Sequence, residues 1–163
     1  MTTGQLKVTC AAKRPDLVPV VSRWLWREWW QDRGLSADQA QVLHSQGQVE
    51  IGAPQMLILL ADDVPVGTAS LVLHDLEERP DLTPWLAAVF VIPEMRGRGH
   101  AYRLLEAFDG ACRAAGVETA WLYTSSAEGL YLKAGWRVEQ IVERPNKPPV
   151  TLMRREFVDQ QSA

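Results

Sequence analysis

The chain has 163 residues, 17 Lys plus Arg against 20 Asp plus Glu, and 47% apolar residues, a composition that reads as one compact soluble domain spanning residues 1–163. A chain of this length buries about 68–70% of its unfolded surface, so neither disulfides nor metal are needed to hold it together. Cys10 and Cys112 form no CxxC, and His44, His74 and His100 show no ligand spacing, so no metal site is expected. The net charge of −3 argues against a nucleic-acid partner. The longest apolar run, Trp85 to Ile92, falls well short of the roughly 20 residues of a spanning helix, and Met1 to Cys10 lacks a signal-peptide core. A reduced, cytoplasmic protein away from the membrane is the expectation.

Leu6 to Cys10 predicts a first strand, and the segment opening at Pro15 and Asp16 predicts a helix that carries Trp24, Trp26, Trp29 and Trp30. Ser36 followed by Gln39 predicts a capping box at the start of a second helix. Met56 to Ala61 and Val66 to His74 predict an antiparallel hairpin, turned at Asp62-Asp63-Val64-Pro65. Asp75 to Asp81 reads as an acidic loop, and the nearly unbroken apolar run Trp85 to Val91 as a central strand covered on both faces.

Helical spacing resumes after Pro93. Ala101, Leu104, Leu105, Phe108, Ala111, Cys112 and Ala115 share one face, and Gly116 stands where a C-terminal cap belongs. Next come a strand over Thr119 to Thr124, a short helix over Ser126 to Ala134 stopped by Gly135, and a strand over Trp136 to Val142. After a turn from Arg144 to Pro149, Val150 to Phe157 predicts the last strand, and the tail beyond Asp159 is expected to fray. This order implies an α/β fold: a mixed central sheet with helices on both faces.

The chemistry concentrates between the central strand and the long helix, at Pro93-Glu94-Met95-Arg96-Gly97-Arg98-Gly99-His100-Ala101. Gly97 and Gly99 allow the backbone to turn and to approach a ligand, and the first helical turn offers N–H groups without intrahelical partners. The helix dipole adds about half a positive charge there, to which Arg96 and Arg98 add their own, so the segment is suited to a diphosphate. A solvated basic turn is the plain alternative. A nucleotide P-loop needs Gly-Lys-Ser or Gly-Lys-Thr, whereas this chain has Gly99-His100-Ala101. A dinucleotide fingerprint needs a small residue where Tyr102 stands and an acidic residue at the end of the next strand, whereas Glu118 precedes it.

What remains resembles the signature of the GNAT superfamily of acyl-CoA-dependent N-acetyltransferases: Arg or Gln, two free positions, Gly, one free position, then Gly or Ala. Arg96, Gly99 and Ala101 match it, with His100 in place of the usual aliphatic residue. Val89-Phe90-Val91-Ile92-Pro93-Glu94 is similar to the strand before the family's loop. Ala127 with Leu130-Tyr131-Leu132-Lys133-Ala134-Gly135-Trp136 is similar to its later segment, although Thr124 stands where many members carry Asn. The resemblance covers roughly residues 56–140.

The resemblance implies a GNAT fold, acetyl-CoA as cosubstrate without a metal, and direct acetyl transfer to an amine. It places the diphosphate on Arg96, Gly97, Arg98, Gly99, His100 and Ala101. It puts main-chain N–H groups of Val89, Phe90 and Val91 against the acetyl carbonyl and pantetheine arm, exposed where the strand splays at a bulge. It makes Tyr131 the group near the thioester sulfur, able to protonate or hydrogen-bond the leaving thiolate.

An amine must lose its ammonium proton before attack, so a carboxylate is the expected proton acceptor. Asp75, Glu77, Glu78 and Asp81 are candidates on the acidic loop, and Glu28 and Asp32 near the first helix; together they read as an acidic vestibule, with solvated surface charge as the plain alternative. Trp26, Trp29 and Trp30 cannot share one helical face, so at least one leaves the core for the acceptor cleft or a homodimer contact, with core or interface packing as the plain alternative. Trp85, Trp121 and Trp136 read as core, and Cys112 as a buried thiol. The alternatives left open are an O-acyl or longer-acyl transferase, an acyl-CoA sensor without turnover, and a nucleic-acid module built on Arg96 and Arg98.

Overall fold

The computed structural model describes residues 4–157, so the tail beyond Asp159, expected to fray, lies outside the described residues. Strand β1 (Leu6–Cys10) leads through a 3-10 turn at Pro15–Leu17 into α1 (Val18–Leu25). A π-helical turn over Trp26–Trp30 and a 3-10 turn over Gln31–Arg33 follow, ended by Gly34 at φ 78. The indole-rich segment is thus a series of three helical geometries, where apolar spacing predicted one helix. In a π turn the residues advance by a smaller angle, which redirects the side chains that follow it. Helix α2 (Ala37–Ser45) starts on the expected capping box: Gln39 N–H donates to Ser36 Oγ at 3.1 Å, and Ser36 N–H to Gln39 Oε1 at 2.8 Å.

Strands β2 (Gln55–Ala61) and β3 (Val64–Val72) form the predicted antiparallel hairpin. Its turn is tighter than expected. Asp62 and Asp63 take φ 51 and 66, a pair of left-handed residues whose twist suits a two-residue loop, and Pro65 already lies in the strand opposite Leu60. His74 falls beyond the end of β3.

The remaining strands are β4 (Trp85–Val91), β5 (Thr119–Thr124), β6 (Arg137–Arg144) and β7 (Lys147–Glu156). The last hairpin turns at Pro145 and Asn146, with Asn146 at φ 59, so both its strands reach further than the sequence suggested. The sheet has seven strands in the order β1-β2-β3-β4-β5-β7-β6, with β4 and β5 parallel and every other neighbour antiparallel. Strand β4 is the middle one, as expected. No helix among the described residues is long and apolar enough to cross a membrane.

Strand β2 shows why the sheet is covered on both sides. Its Leu57 and Leu59 join the core beneath α3 (His100–Ala114), while Met56, Ile58 and Leu60 join the core beneath α1. Helix α3 buries Cys112 together with Leu104, Leu105 and Phe108, and each of these last three is worth about 1.5–3 kcal/mol when fully withdrawn from water. Gly116 at φ 73 closes α3, with Gly116 N–H on Arg113 C=O at 3.2 Å and Val117 N–H on Cys112 C=O at 2.9 Å. Burial pushes the Cys112 thiol up to about 12, so it stays a neutral packing group. Trp85 and Trp136 are core residues as predicted; Trp121 is half-buried instead, 5.9 Å beneath the Arg154 guanidinium.

Helix α4 (Glu128–Lys133) starts later than Ser126, because the Thr124 hydroxyl accepts the N–H groups of Ser126 at 3.3 Å and Ala127 at 2.9 Å and holds them in a turn. It ends as α3 does: Gly135 takes φ 95, and Trp136 N–H donates to Tyr131 C=O at 3.0 Å. A side chain at Gly135 would collide with the Arg155 guanidinium, which is clamped by Asp109 through bonds of 3.0 and 2.8 Å. Gly135→Ala is therefore expected to cost more than about 1 kcal/mol, read as a lowered Tm in thermal melts.

Candidate active site

Strand β4 carries a bulge. It pairs with β3 as Trp85↔Val72, Leu86↔Leu71 and Ala87↔Ser70, then slips so that Phe90 faces Thr68 and Val91 faces Gly67. Ala88 takes φ 56 at the slip, a conformation that is costly for a residue with a Cβ. On its other edge β4 pairs with β5 at Trp85↔Trp121 alone, and beyond that pair the two strands separate. A bulge bends and twists its strand, which accounts for the separation.

The gap is a cleft of about 800 Å³. Leu86, Ala87, Ala88 and Val89 line one wall and Leu122, Tyr123 and Thr124 the other. It opens to both faces of the sheet: Ala127 and Tyr131 line it on the α3 side, Trp29, Trp30 and Arg33 on the α1 side. For that reason β4 is only half-buried beyond Leu86, where the sequence predicted cover on both faces.

At the end of β4 a 3-10 turn over Pro93–Met95 leads to Gly97 at φ 77 and Gly99 at φ 81, and α3 begins at His100. A Cβ at either glycine would meet nothing within 4 Å, so left-handed backbone, not crowding, calls for glycine, and the space in front of the loop is open. The first intrahelical donor is Arg103 N–H, on Gly99 C=O at 3.2 Å. From Gly97 to Tyr102 no N–H has an acceptor among the described residues. An open helix start with six free donors fits a diphosphate.

The side chains of the loop differ from this simple picture. Arg96 Nε donates to Val91 C=O at 2.8 Å and its guanidinium lies 5.4 Å over the Phe90 ring, so Arg96 braces the loop against β4. Arg98 is exposed, with a single long contact of 3.5 Å to Glu94 C=O. The His100 ring is buried and neither ring nitrogen has a partner among the described residues, so His100 offers the site its backbone N–H only.

Tyr131 lines the cleft from α4 and packs edge-on against Trp136 at 6.4 Å. Burial pushes its phenol up to about 12, so it keeps its proton at neutral pH. Asp75, on the loop after β3, remains solvent-accessible, but the cleft walls strip enough water to raise its carboxyl to about 6, against the opposing pull of Arg33. The Tyr123 phenol is raised by burial first and by Asp75 next, with Arg33 opposing. His44 is lowered by burial; its Nδ1 lies 2.7 Å from Ser22 Oγ, and its ring meets Trp30 edge-on at 5.4 Å.

The other sequence candidates divide. Trp29, 40% exposed, and Trp30 line the cleft; Trp26 does not, because its indole N–H is tied to Leu35 C=O at 2.7 Å. Glu28, Asp75 and Glu77 line it, whereas Glu78, Asp81 and Asp32 lie off it, with Asp81 held by Arg79 at 3.0 Å. Of Val89, Phe90 and Val91, only Val89 reaches the cleft; Phe90 packs between Trp24 and Trp29, and Val91 packs under α3. The structure adds Arg33, His44 and Tyr123, which the sequence reading missed. Tyr123 had a signal in its place on the strand beside the split, but Arg33 is carried in by the π turn, which apolar spacing does not reveal.

A mixed sheet split between its parallel strands, with a glycine-led helix start beside the split, is the architecture of an acyl-group transferase. The chain belongs to the acetyltransferase (GNAT) family, whose model matches residues 19–136. A GNAT-family acetyltransferase from Streptococcus pneumoniae superposes with TM-score 0.70 at 17% identity, covering 94% of this chain and 100% of that one. An aminoglycoside 6'-N-acetyltransferase complexed with coenzyme A superposes with TM-score 0.75 at 13% identity, covering 94% and 98%. YncA of Salmonella typhimurium, solved with acetyl-CoA as its cofactor, superposes with TM-score 0.68 at 15% identity, covering 98% and 96%. No curated protein matches the chain.

The raised Asp75 carboxyl makes a prediction about stability. Its folded value, about 6, stands above the ordinary 3.8, so the folded chain holds the extra proton between those values and stability falls as pH rises through that window. Asp75→Asn removes this loss. Thermal melts from pH 4 to 7 are expected to show the variant gaining on the wild type as pH rises.

Proposed function

We propose that the protein is an N-acetyltransferase that moves acetyl from acetyl-CoA directly to an amine. The observation that carries this reading is the split beside the β4 bulge, which joins a free helix start and a protonated phenol on one face to an acidic, indole-walled cleft on the other. The relatives solved with coenzyme A and acetyl-CoA support the donor, and the aminoglycoside N-acetyltransferase supports nitrogen as the acceptor atom. The buried free thiols of Cys10 and Cys112 support a cytoplasmic setting.

In this reading the N–H groups from Gly97 to Ala101 hold the diphosphate, with Arg98 adding charge and Arg96 keeping the loop in place. The bulged edge around Val89 supplies main-chain donors to the acetyl carbonyl. The thioester brings the acyl group, and the amine arrives from the α1 face. One ammonium proton passes to a carboxylate before attack; the N–C bond forms as the C–S bond breaks, and the second nitrogen proton ends on sulfur. Asp75, raised toward neutrality, is the carboxylate best suited to the first transfer. A phenol near 12 is a weaker acid than a thiol near 8.5, so Tyr131 donates a hydrogen bond to the developing thiolate and does not surrender its proton.

Release of free CoA, followed with acetyl-CoA and an amine panel, tests the reading; a panel on which no amine consumes acetyl-CoA overturns it. Tyr131→Phe is expected to lower kcat about 10²-fold while leaving the acetyl-CoA Kd nearly unchanged. Arg96→Ala is expected to raise that Kd roughly tenfold or more, because the loop loses a charge-assisted hydrogen bond worth about 1.5–3 kcal/mol, with little change in kcat at saturation.

A further inference from the structure

Two opposite charges face the cleft without closing on each other. Arg33 is the only Lys or Arg among the residues that line it, and no carboxylate among the described residues comes within 4.0 Å of its guanidinium. The guanidinium lies instead 5.4 Å over the Trp30 ring, which orients it by its flat face. Asp75 enters from another element, the loop after β3, and no hydrogen bond or ion pair to it is found among the described residues. Asp75 raises the Tyr123 phenol and Arg33 lowers it, so both charges act on that one side chain.

A guanidinium and a carboxylate that meet close into a bidentate pair, among the strongest pairings available to side chains. Here no such pair forms: Arg33 stands on the 3-10 turn ended by the left-handed Gly34 and Asp75 on the loop after β3, both lining the same cleft. A molecule carrying both complementary charges can pair with both side chains at once. We propose that the acceptor is a free α-amino acid with an apolar side chain, its ammonium on Asp75, its carboxylate on the fork of Arg33, and its side chain against Trp29 and Trp30.

The inference rests on the amine-acetylation reading and narrows it. Glu28 and Glu77 also line the cleft and favour the approach of a cation, but a polyamine or aminoglycoside would bring a second positive charge toward Arg33. A carboxylate turns that same guanidinium from a repulsive element into an attractive one. The volume of about 800 Å³ accommodates an amino acid beside the end of a pantetheine arm.

The test uses the full chain with acetyl-CoA and three kinds of acceptor: leucine, methionine and phenylalanine as free acids, the same amino acids as methyl esters, and spermidine. Free acids are expected to exceed their esters at least tenfold in kcat/KM, through KM, and to exceed spermidine. Arg33→Gln is expected to bring the acid-to-ester ratio close to one, and Arg33→Lys to restore part of it. Esters or spermidine used as readily as acids, or an unchanged ratio in Arg33→Gln, would overturn the proposal and leave amine acetylation standing. If no acceptor consumes acetyl-CoA, both readings fall together.

Discussion

The left-handed backbone of Ala88 is the constraint on which the cleft depends. A residue with a Cβ pays about 1–3 kcal/mol to stay in such a conformation, and it persists only where the surroundings hold it. Here the surroundings are strong on one side and absent on the other. Strand β3 grips β4 on both sides of the bulge, through Ala87↔Ser70 before it and Phe90↔Thr68 after it, while Phe90 is packed by Trp24 and Trp29. Strand β5 meets β4 only at Trp85↔Trp121. The bulge therefore turns β4 away from β5, and every functional feature described above sits on the resulting gap or at its end.

The fold was legible in the sequence wherever one period dominated. The stripe of Leu104, Leu105, Phe108 and Cys112, the apolar runs of β2 and β3 on either side of their turn, and the Ser36–Gln39 capping box each reflect local rules that the folded chain obeys. The errors came where a local rule met a tertiary demand. Two-residue turns at Asp62-Asp63 and Pro145-Asn146 lengthen the strands beside them, because left-handed Asp and Asn continue the twist of a ladder that a looser turn would interrupt. The apolar run of β4 reads as a strand buried on both faces, yet it lines a cleft: apolar composition records withdrawal from water and does not distinguish a protein wall from a ligand as the covering group.

The two halves of the candidate site differ in legibility for a physical reason. The loop from Arg96 to Ala101 works through main-chain N–H groups, so its requirement is a pair of left-handed positions before a helix, and glycines at fixed spacing announce that requirement directly. His100 can replace an aliphatic residue there because its ring turns inward and its N–H remains in line. Arg96 has a further role that the motif does not announce: its Nε donates to Val91 C=O and so ties the loop to β4.

The acceptor half is built from side chains on elements far apart in sequence, and there the π turn decides. Continuing α1 as a regular helix would leave Trp29, Trp30 and Arg33 displaced around its axis, and Arg33 would lose its place in the cleft it lines with Asp75. By taking a wider turn over Trp26–Trp30, the chain keeps Trp26 tied to Leu35, sends Trp29 and Trp30 toward β4 and α2, and presents Arg33 on the next short turn. The irregular segment is thus the acceptor-side counterpart of the β4 bulge. Each breaks a regular element at the one place where regularity would have sealed the sheet: the bulge creates the space, and the π turn fixes which charge faces it.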